Sequence, residues 1–290
     1  MDIDSWLQQA TQDLSSAGIE TARLDALVLL EDAAGKDRTH LLAHPELELS
    51  SEQQNVLAGW LKRRAAHEPL AYIRGKTEFY GRTFAVSPAV LEPRPESETM
   101  IELLLQYASQ RPQKGPQASG NPPDALTPLL PIGTVRIADV GTGSGALGIT
   151  AKLELPEATV ELLEIDPSAI EVAKMNVINH TTSISVIESD LLAQSSQNYD
   201  VLLCNLPYVP DGHAINTAAT HEPALAIFGG PDGLDLYRKL FEQIDNLQNK
   251  PLLILTESLP EQHEALRLIA AESGYTQDTE VDFIQAFKSS

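Results

Sequence analysis

The stretch "RIADVGTGSGALGI", residues 136–149, decides the reading of the fold, because it passes from strand to turn to helix within fourteen residues. Its first part is a short apolar run suited to a buried strand. Gly141, Gly143 and Gly145 then let the backbone turn tightly and approach a ligand before a helix begins. Downstream the alternation repeats. "TVELLEI", "SISVIES", "YDVLLC" and "PLLILT" read as strands, and "PSAIEVAKMNVIN", "GLDLYRKLFEQI" and "LPEQHEALRLIAAES" read as helices. Such alternation predicts an α/β domain on a doubly wound, mostly parallel sheet, with ligands at the carboxyl ends of its strands.

Upstream, Trp6, Leu7, Ala10 and Leu14 recur at helical spacing, and similar patterns run to about Ala66. They predict a small helical domain over residues 1–68. "LAYIRGKTEFYGRTFAVSP" predicts an extended hairpin turning at "YGRT", which makes residues 69–94 a linker. Pro95 and early acidic residues open the helix "ESETMIELLLQYAS" and the domain of residues 95–290. Residues 110–133, rich in Pro and Gly, read as a flexible excursion.

The chain has 290 residues, 41 acidic against 20 basic, for a net charge of -21. That surface repels polyphosphate and argues against direct nucleic-acid binding. Basic residues do gather between Lys62 and Arg94, and the favoured reading is a solvated helix end and hairpin, not a binding patch. The single cysteine, Cys204, excludes a disulfide framework, and no metal site is expected. The acidic, amphipathic start and the lack of a long apolar run predict a soluble cytoplasmic protein without a membrane partner.

Gly143, Gly145 and Gly148 satisfy the dinucleotide pattern G-x-G-x-x-G, so the glycines alone leave a nicotinamide cofactor, S-adenosylmethionine and an empty turn open. Asp139, ahead of the glycines, places a carboxylate where the ammonium of S-adenosylmethionine would be welcome, which favours that cofactor. Glu164, 19 residues after Gly145, is placed to accept from ribose hydroxyls. Asp166, followed by Pro167, reads as a helix N-cap. Asp190 ends the third strand, where it could meet an adenine amine or cap the loop.

"DVLLCNLPYVP", residues 200–210, ends its strand in an amide, a proline and a tyrosine. Methylating an amide or exocyclic amine requires both N–H groups to be held so that the nitrogen lone pair faces the methyl donor. The side-chain carbonyl of Asn205 and the backbone carbonyl of Leu206 are two such acceptors, with Pro207 stiffening the turn and Tyr208 packing on the planar amide.

Across most of its length the chain resembles the protein-(glutamine-N5) methyltransferases of the HemK/PrmC family. "EPLAYIRGKTEFYGRTFAVSPAVLEPRPESE", "IADVGTGSGALGI", "YDVLLCNLPYVP" and "HEPALAIFGGPDGLDLYRKL" carry the likeness. The resemblance implies a Rossmann-like class I methyltransferase domain with a seven-stranded sheet, a small all-helical N-terminal domain that recognises a peptide chain release factor, and a β-hairpin linker. The implied reaction moves a methyl group from S-adenosylmethionine to the glutamine amide of the factor's Gly-Gly-Gln motif, leaving S-adenosylhomocysteine. Gly141, Thr142, Gly143, Ser144, Gly145 and Glu164, with Asp139, Asp190 and Asn205, would serve the cofactor. Asn205, Leu206, Pro207 and Tyr208 would hold the glutamine. Arg94 stands where the family brings its linker near the active site, and a surface ion pair is the alternative role. Leu206 replaces the family's first proline. Similar loops in adenine-modifying enzymes keep an RNA or DNA amine, or a ribosomal-protein glutamine, as alternative substrates. An NAD-binding oxidoreductase and a silent binding module are the readings from other classes.

Overall fold

The computed structural model describes residues 1–109, 130, 134–195, 198–214 and 217–290. The chain divides into two compact units, Met1–Thr77 with Ile215–His221, and Glu78–Ala214 with Glu222–Ser290.

The first unit is helical, with α1 (Ile3–Ser16), α2 (Ala22–Ala34), α3 (Arg38–Ala43), α4 (Ser51–Ala65) and α5 (Leu70–Arg74). Asp2 caps α1 through the Ser5 N–H, and Ser50 and Gln53 form a capping box on α4. Trp6, Leu7, Leu14, Leu29, Leu30, Leu57 and Ile73 fill its core. Helix α5 corrects the sequence reading, which made "LAYIR" part of a hairpin. Pro69 presets the entry, the left-handed Gly75 (φ 70°) ends the turn, and burial of Ala71, Tyr72 and Ile73 outweighs the β preference of Tyr72 and Ile73.

The hairpin is confined to β1 (Lys76–Phe79) and β2 (Arg82–Ala85). Tyr80 (φ 50°) and Gly81 (φ 68°) both take the left-handed backbone that a two-residue turn of matching twist requires. Six of the seven basic residues from Lys62 to Arg94 stand in ion pairs. Arg63 meets Glu68, Arg64 meets Asp25, Arg74 and Lys76 share Asp32, Arg82 meets Glu154 and Arg94 meets Glu222. Paired in this way, these cations project a weaker field than their number suggests.

In the second unit a 3-10 turn, Pro95–Ser97, leads into α6 (Glu98–Ser109). There follow β3 (Arg136–Val140), α7 (Ala146–Glu154), β4 (Thr159–Glu164), α8 (Pro167–Asn179), β5 (Ser185–Glu188), β6 (Val201–Cys204), α9 (Asp235–Asp245), β7 (Leu253–Glu257), α10 (His263–Glu272), β8 (Tyr275–Val281) and β9 (Ile284–Ser289). Seven strands order as β5-β4-β3-β6-β7-β9-β8, with β9 running antiparallel to its neighbours β7 and β8 and the other pairings parallel. This is the doubly wound sheet that the alternation predicts, and its strand order reverses between β3 and β6. Period-two alternation sends Ile137, Leu162, Leu203 and Leu255 to one core with Met100 and Ile149. It sends Ala138, Val140, Leu163 and Cys204 to the other, with Tyr237 and Phe241. The Pro- and Gly-rich excursion lies outside the described residues, apart from Leu130, which is buried. No helix among the described residues is long and apolar enough to cross a membrane.

Tyr237, fully buried on α9, joins two strand ends. Its Oη donates to the Cys204 carbonyl (3.0 Å) and the Glu257 carbonyl (2.6 Å). Tyr237→Phe strands both carbonyls and is expected to cost about 1–3 kcal/mol, read as a lower urea midpoint at unchanged slope.

Candidate active site

Pairing of β3 with β4 and β6 delivers the glycine loop and the Asn205 loop to one edge of the sheet. Gly141 (φ 69°), Gly143 (φ 55°) and Gly145 (φ 84°) all turn left-handed, as the sequence requires of them. Two carboxylates hold that turn from beneath. Asp139 Oδ2 accepts from Thr142 Oγ1 (2.5 Å) and from the Gly148 N–H (2.8 Å). Glu164 accepts from the backbone N–H groups of Gly143 (2.8 Å), Ile165 (2.8 Å) and Asp166 (3.0 Å). Asp166 caps α8 through Ser168 and Ala169, with Pro167 in the first turn, as read from the sequence. Asp190 pairs with Lys239 Nζ (2.5 Å).

Asn205 follows the last residue of β6, and its Nδ2 donates to Ser97 Oγ (3.0 Å). Ser97 Oγ donates in turn to Glu257 Oε2 (2.5 Å), and Tyr208 Oη donates to Glu257 Oε1 (3.1 Å). Leu206, only 2% exposed, lies over the glycine loop so closely that a Cβ on Gly141 would stand 2.8 Å from its Cδ2. Residues 227–233 brace the far side of the loop. Val209 N–H donates to the Ile227 carbonyl and Gly229 N–H to the Val209 carbonyl, while Gln262 Nε2 donates to the Tyr208 carbonyl (2.7 Å). Arg94 Nη2 lies 2.7 Å from both carboxylate oxygens of Glu222, and because Glu222 is buried this ion pair is not the surface pair expected as its alternative role.

A cleft of about 260 Å³ opens between the two loops, lined by Gly141, Gly143, Glu164, Asp190, Asn205 and Leu206 among others. A smaller pocket of about 60 Å³ beside it is lined by Ser97, Asp139, Thr142, Ser144 and Asn205. Every residue expected to serve the cofactor except Gly145 lines one of the two. Gly145 is instead the N-cap of α7.

Residues 5–75 match the model of the PrmC N-terminal domain, and residues 124–223 match the methyltransferase small domain. The release factor glutamine methyltransferase of Coxiella burnetii is 31% identical over 280 residues, covering 94% of this chain and 93% of its own. The chain belongs to the release factor glutamine methyltransferase family. The Moorella thermoacetica member is 33% identical over 280 residues, 95% of this chain and 92% of its own. A bifunctional methyltransferase of Rickettsia bellii is 34% identical over 288 residues, and the chain spans 52% of that relative's length. Among solved structures, the hMettl16 catalytic domain in complex with MAT2A 3'UTR hairpin 6 superposes with a TM-score of 0.53 at 14% identity, covering 84% of this chain and 83% of that one. That likeness shows the shared fold.

In this family member the sequence reading missed Glu257, Ser97, Gln262 and Asn176. Glu257 was legible as a lone acid ending the apolar run "LLILT" at the same sheet edge. Asn176 is fully buried, and its Nδ2 donates to the Ser144 carbonyl (2.8 Å) and the Ala85 carbonyl (2.9 Å), tying the glycine loop to β2. Burial pushes the Glu257 carboxyl up from its ordinary range, opposed by its bonds to Ser97 and Tyr208. Burial likewise raises the Tyr208 phenol, with the Glu257 charge adding to it. Among the described residues, no group of three or more His, Cys, Asp or Glu could hold a metal ion.

Burial raises Asp139 to about 6 from an ordinary 3.8, opposed by its bonds to Thr142 and Gly148. The folded protein therefore keeps this proton where the unfolded chain has lost it. The stability so contributed is full below about pH 4 and is lost as pH rises to about 6. Asp139→Asn is expected to flatten that part of the pH–stability curve in urea titrations. A second prediction concerns Gly229, where a Cβ would stand 2.2 Å from the Pro207 carbonyl oxygen. Gly229→Ala is expected to displace the Asn205 loop and lower kcat about 100-fold, with the circular dichroism of the sheet unchanged.

Proposed function

We propose that this chain transfers the methyl group of S-adenosylmethionine to the side-chain amide nitrogen of the glutamine in a release factor's Gly-Gly-Gln motif, in the cytoplasm. The observation that carries this reading is the commitment of Asn205 Nδ2 to Ser97 (3.0 Å), which turns Oδ1 into the acceptor offered to a substrate. The Leu206 carbonyl is the second acceptor. Together they hold the two amide hydrogens, so that the nitrogen lone pair stands out of the amide plane toward the cleft. The Tyr208 ring packs on the planar amide, and its bond to Glu257 fixes its tilt.

The cleft suits S-adenosylmethionine: its floor is glycine at Gly141 and Gly143, and it offers carboxylates at Glu164 and Asp190. The cofactor supplies a sulfonium methyl that needs no metal and no strong base. Glu164, fixed by three backbone N–H groups, is the acceptor for ribose hydroxyls, and Asp190 with Lys239 borders the adenine end. Thr142, Ser144, Gly141 and Gly143 shape the wall, Gly145 starts α7 behind it, and Asp139 holds that wall from below. Leu206 presses on Gly141 where the family's proline would sit, so loop and cofactor wall stay in register.

In this reading residues 1–68 recognise the body of the factor, residues 69–94 link them to the methyltransferase domain of residues 95–290, and Arg94 contacts substrate while sharing its charge with Glu222. Labelled S-adenosylmethionine with a release factor is expected to label the factor, and a Gln→Ala change in Gly-Gly-Gln to abolish it. Equal labelling of that variant would redirect the search to another residue or to an RNA amine. Asn205→Ala is expected to lower kcat by about 10²–10³, the loss seen when one preorganised polar group is removed.

A further inference from the structure

Glu257 is 1% exposed, yet among the described residues its carboxylate forms no ion pair with a cation. Both of its oxygens accept from groups that touch the reacting loop, Ser97 Oγ (2.5 Å) and Tyr208 Oη (3.1 Å). Burying a carboxylate without a cationic partner is costly, and donors of this kind offset only part of the cost. Three strand and turn ends meet here: Ser97 closes the 3-10 turn before α6, Asn205 follows β6, and Glu257 ends β7.

Counting protons along this chain gives it a direction. An ionised carboxylate only accepts, so the single hydroxyl proton of Ser97 goes to Glu257. The Ser97 oxygen is then left to accept, and only the Nδ2 end of Asn205 can donate to it. A flipped Asn205 would set its carbonyl against the Ser97 lone pairs and present donors to a substrate that itself brings donors.

We propose that Glu257 and Ser97 are positioning residues that fix the polarity of the Asn205 amide, so that Oδ1 faces the substrate nitrogen. The proposal rests on the glutamine methylation reading. It assigns a reaction role to two side chains that act through Asn205. Neutral Glu257→Gln has one acceptor and one donor end, so it can accept from Ser97 or from Tyr208 but not from both, and in one of its two orientations it donates to Ser97 Oγ in place of Asn205. Ser97→Ala removes the relay, and Ser97→Thr keeps a hydroxyl in place.

The test combines kinetics with a direct view of the amide. Partners that orient a functional side chain cost about 10–100-fold when removed. Glu257→Gln and Ser97→Ala are therefore expected to lower kcat by about that factor, with KM for the release factor and affinity for S-adenosylmethionine within about twofold of the unaltered protein. Ser97→Thr is expected to restore most of the rate. In an Asn205→Ala background, Ser97→Ala should add no further loss. The Asn205 side-chain amide resonances, assigned by their absence in Asn205→Ala, should shift in both relay variants whether or not a factor is methylated. Unshifted resonances, a loss confined to KM, or a full additional loss on top of Asn205→Ala would overturn the relay. Should Glu257→Gln not fold, the contrast of Ser97→Ala with Ser97→Thr decides by the same readings. A resonance shift without methylation by the unaltered protein would uphold the relay and count against the glutamine reading alone.

Discussion

Parallel pairing of β3 with β6 is the constraint from which the site follows. Val140 stands level with Cys204, so the chain leaves both strands at the same edge, one into the glycine loop and the other into Asn205. Crossover helices pack on both faces of such a sheet, and the place where the strand order reverses stays uncovered. Tyr237 ties β6 to β7 at that edge through two carbonyls, and so brings Glu257 beside the loop it orients. The glycine loop and the Asn205 loop thus come together without any local sequence signal linking them.

The acidic groups inside the site have the same sign as the net charge of the chain. A net charge of -21 favours solubility but offers nothing to a buried carboxylate. Asp139, Glu164 and Glu257 are instead satisfied by hydroxyls and backbone N–H groups. Each spends its acceptor capacity on holding a loop in shape, which is costly for stability and useful for geometry.

Much of this was legible in the sequence where the signal is local. Period-two runs gave the strands, Asp166-Pro167 marked the start of α8, and the glycines marked a turn whose left-handed backbone the structure shows. What escaped depends on contacts distant in sequence. Nothing near "LAYIR" says that Ile73 enters the helical core, so a β-branched, aromatic stretch read as strand. Nothing near Ser97 points to Glu257, 160 residues away, and an Asn inside α8 gives no hint that it binds the Ser144 carbonyl.

Gly229 and Gly233 lie against the carbonyl oxygens of Pro207 and Tyr208, where a Cβ would stand 2.2 Å and 2.0 Å away. The course of the tetrapeptide is therefore cast by a mould some twenty residues downstream more than by its own letters. Position 206 becomes a matter of fit over Gly141, a test that leucine passes by filling space where a ring would have stiffened the backbone. Tolerance in this loop is thus uneven: its occupant can vary in kind, whereas the mould can grow by not even one methyl group.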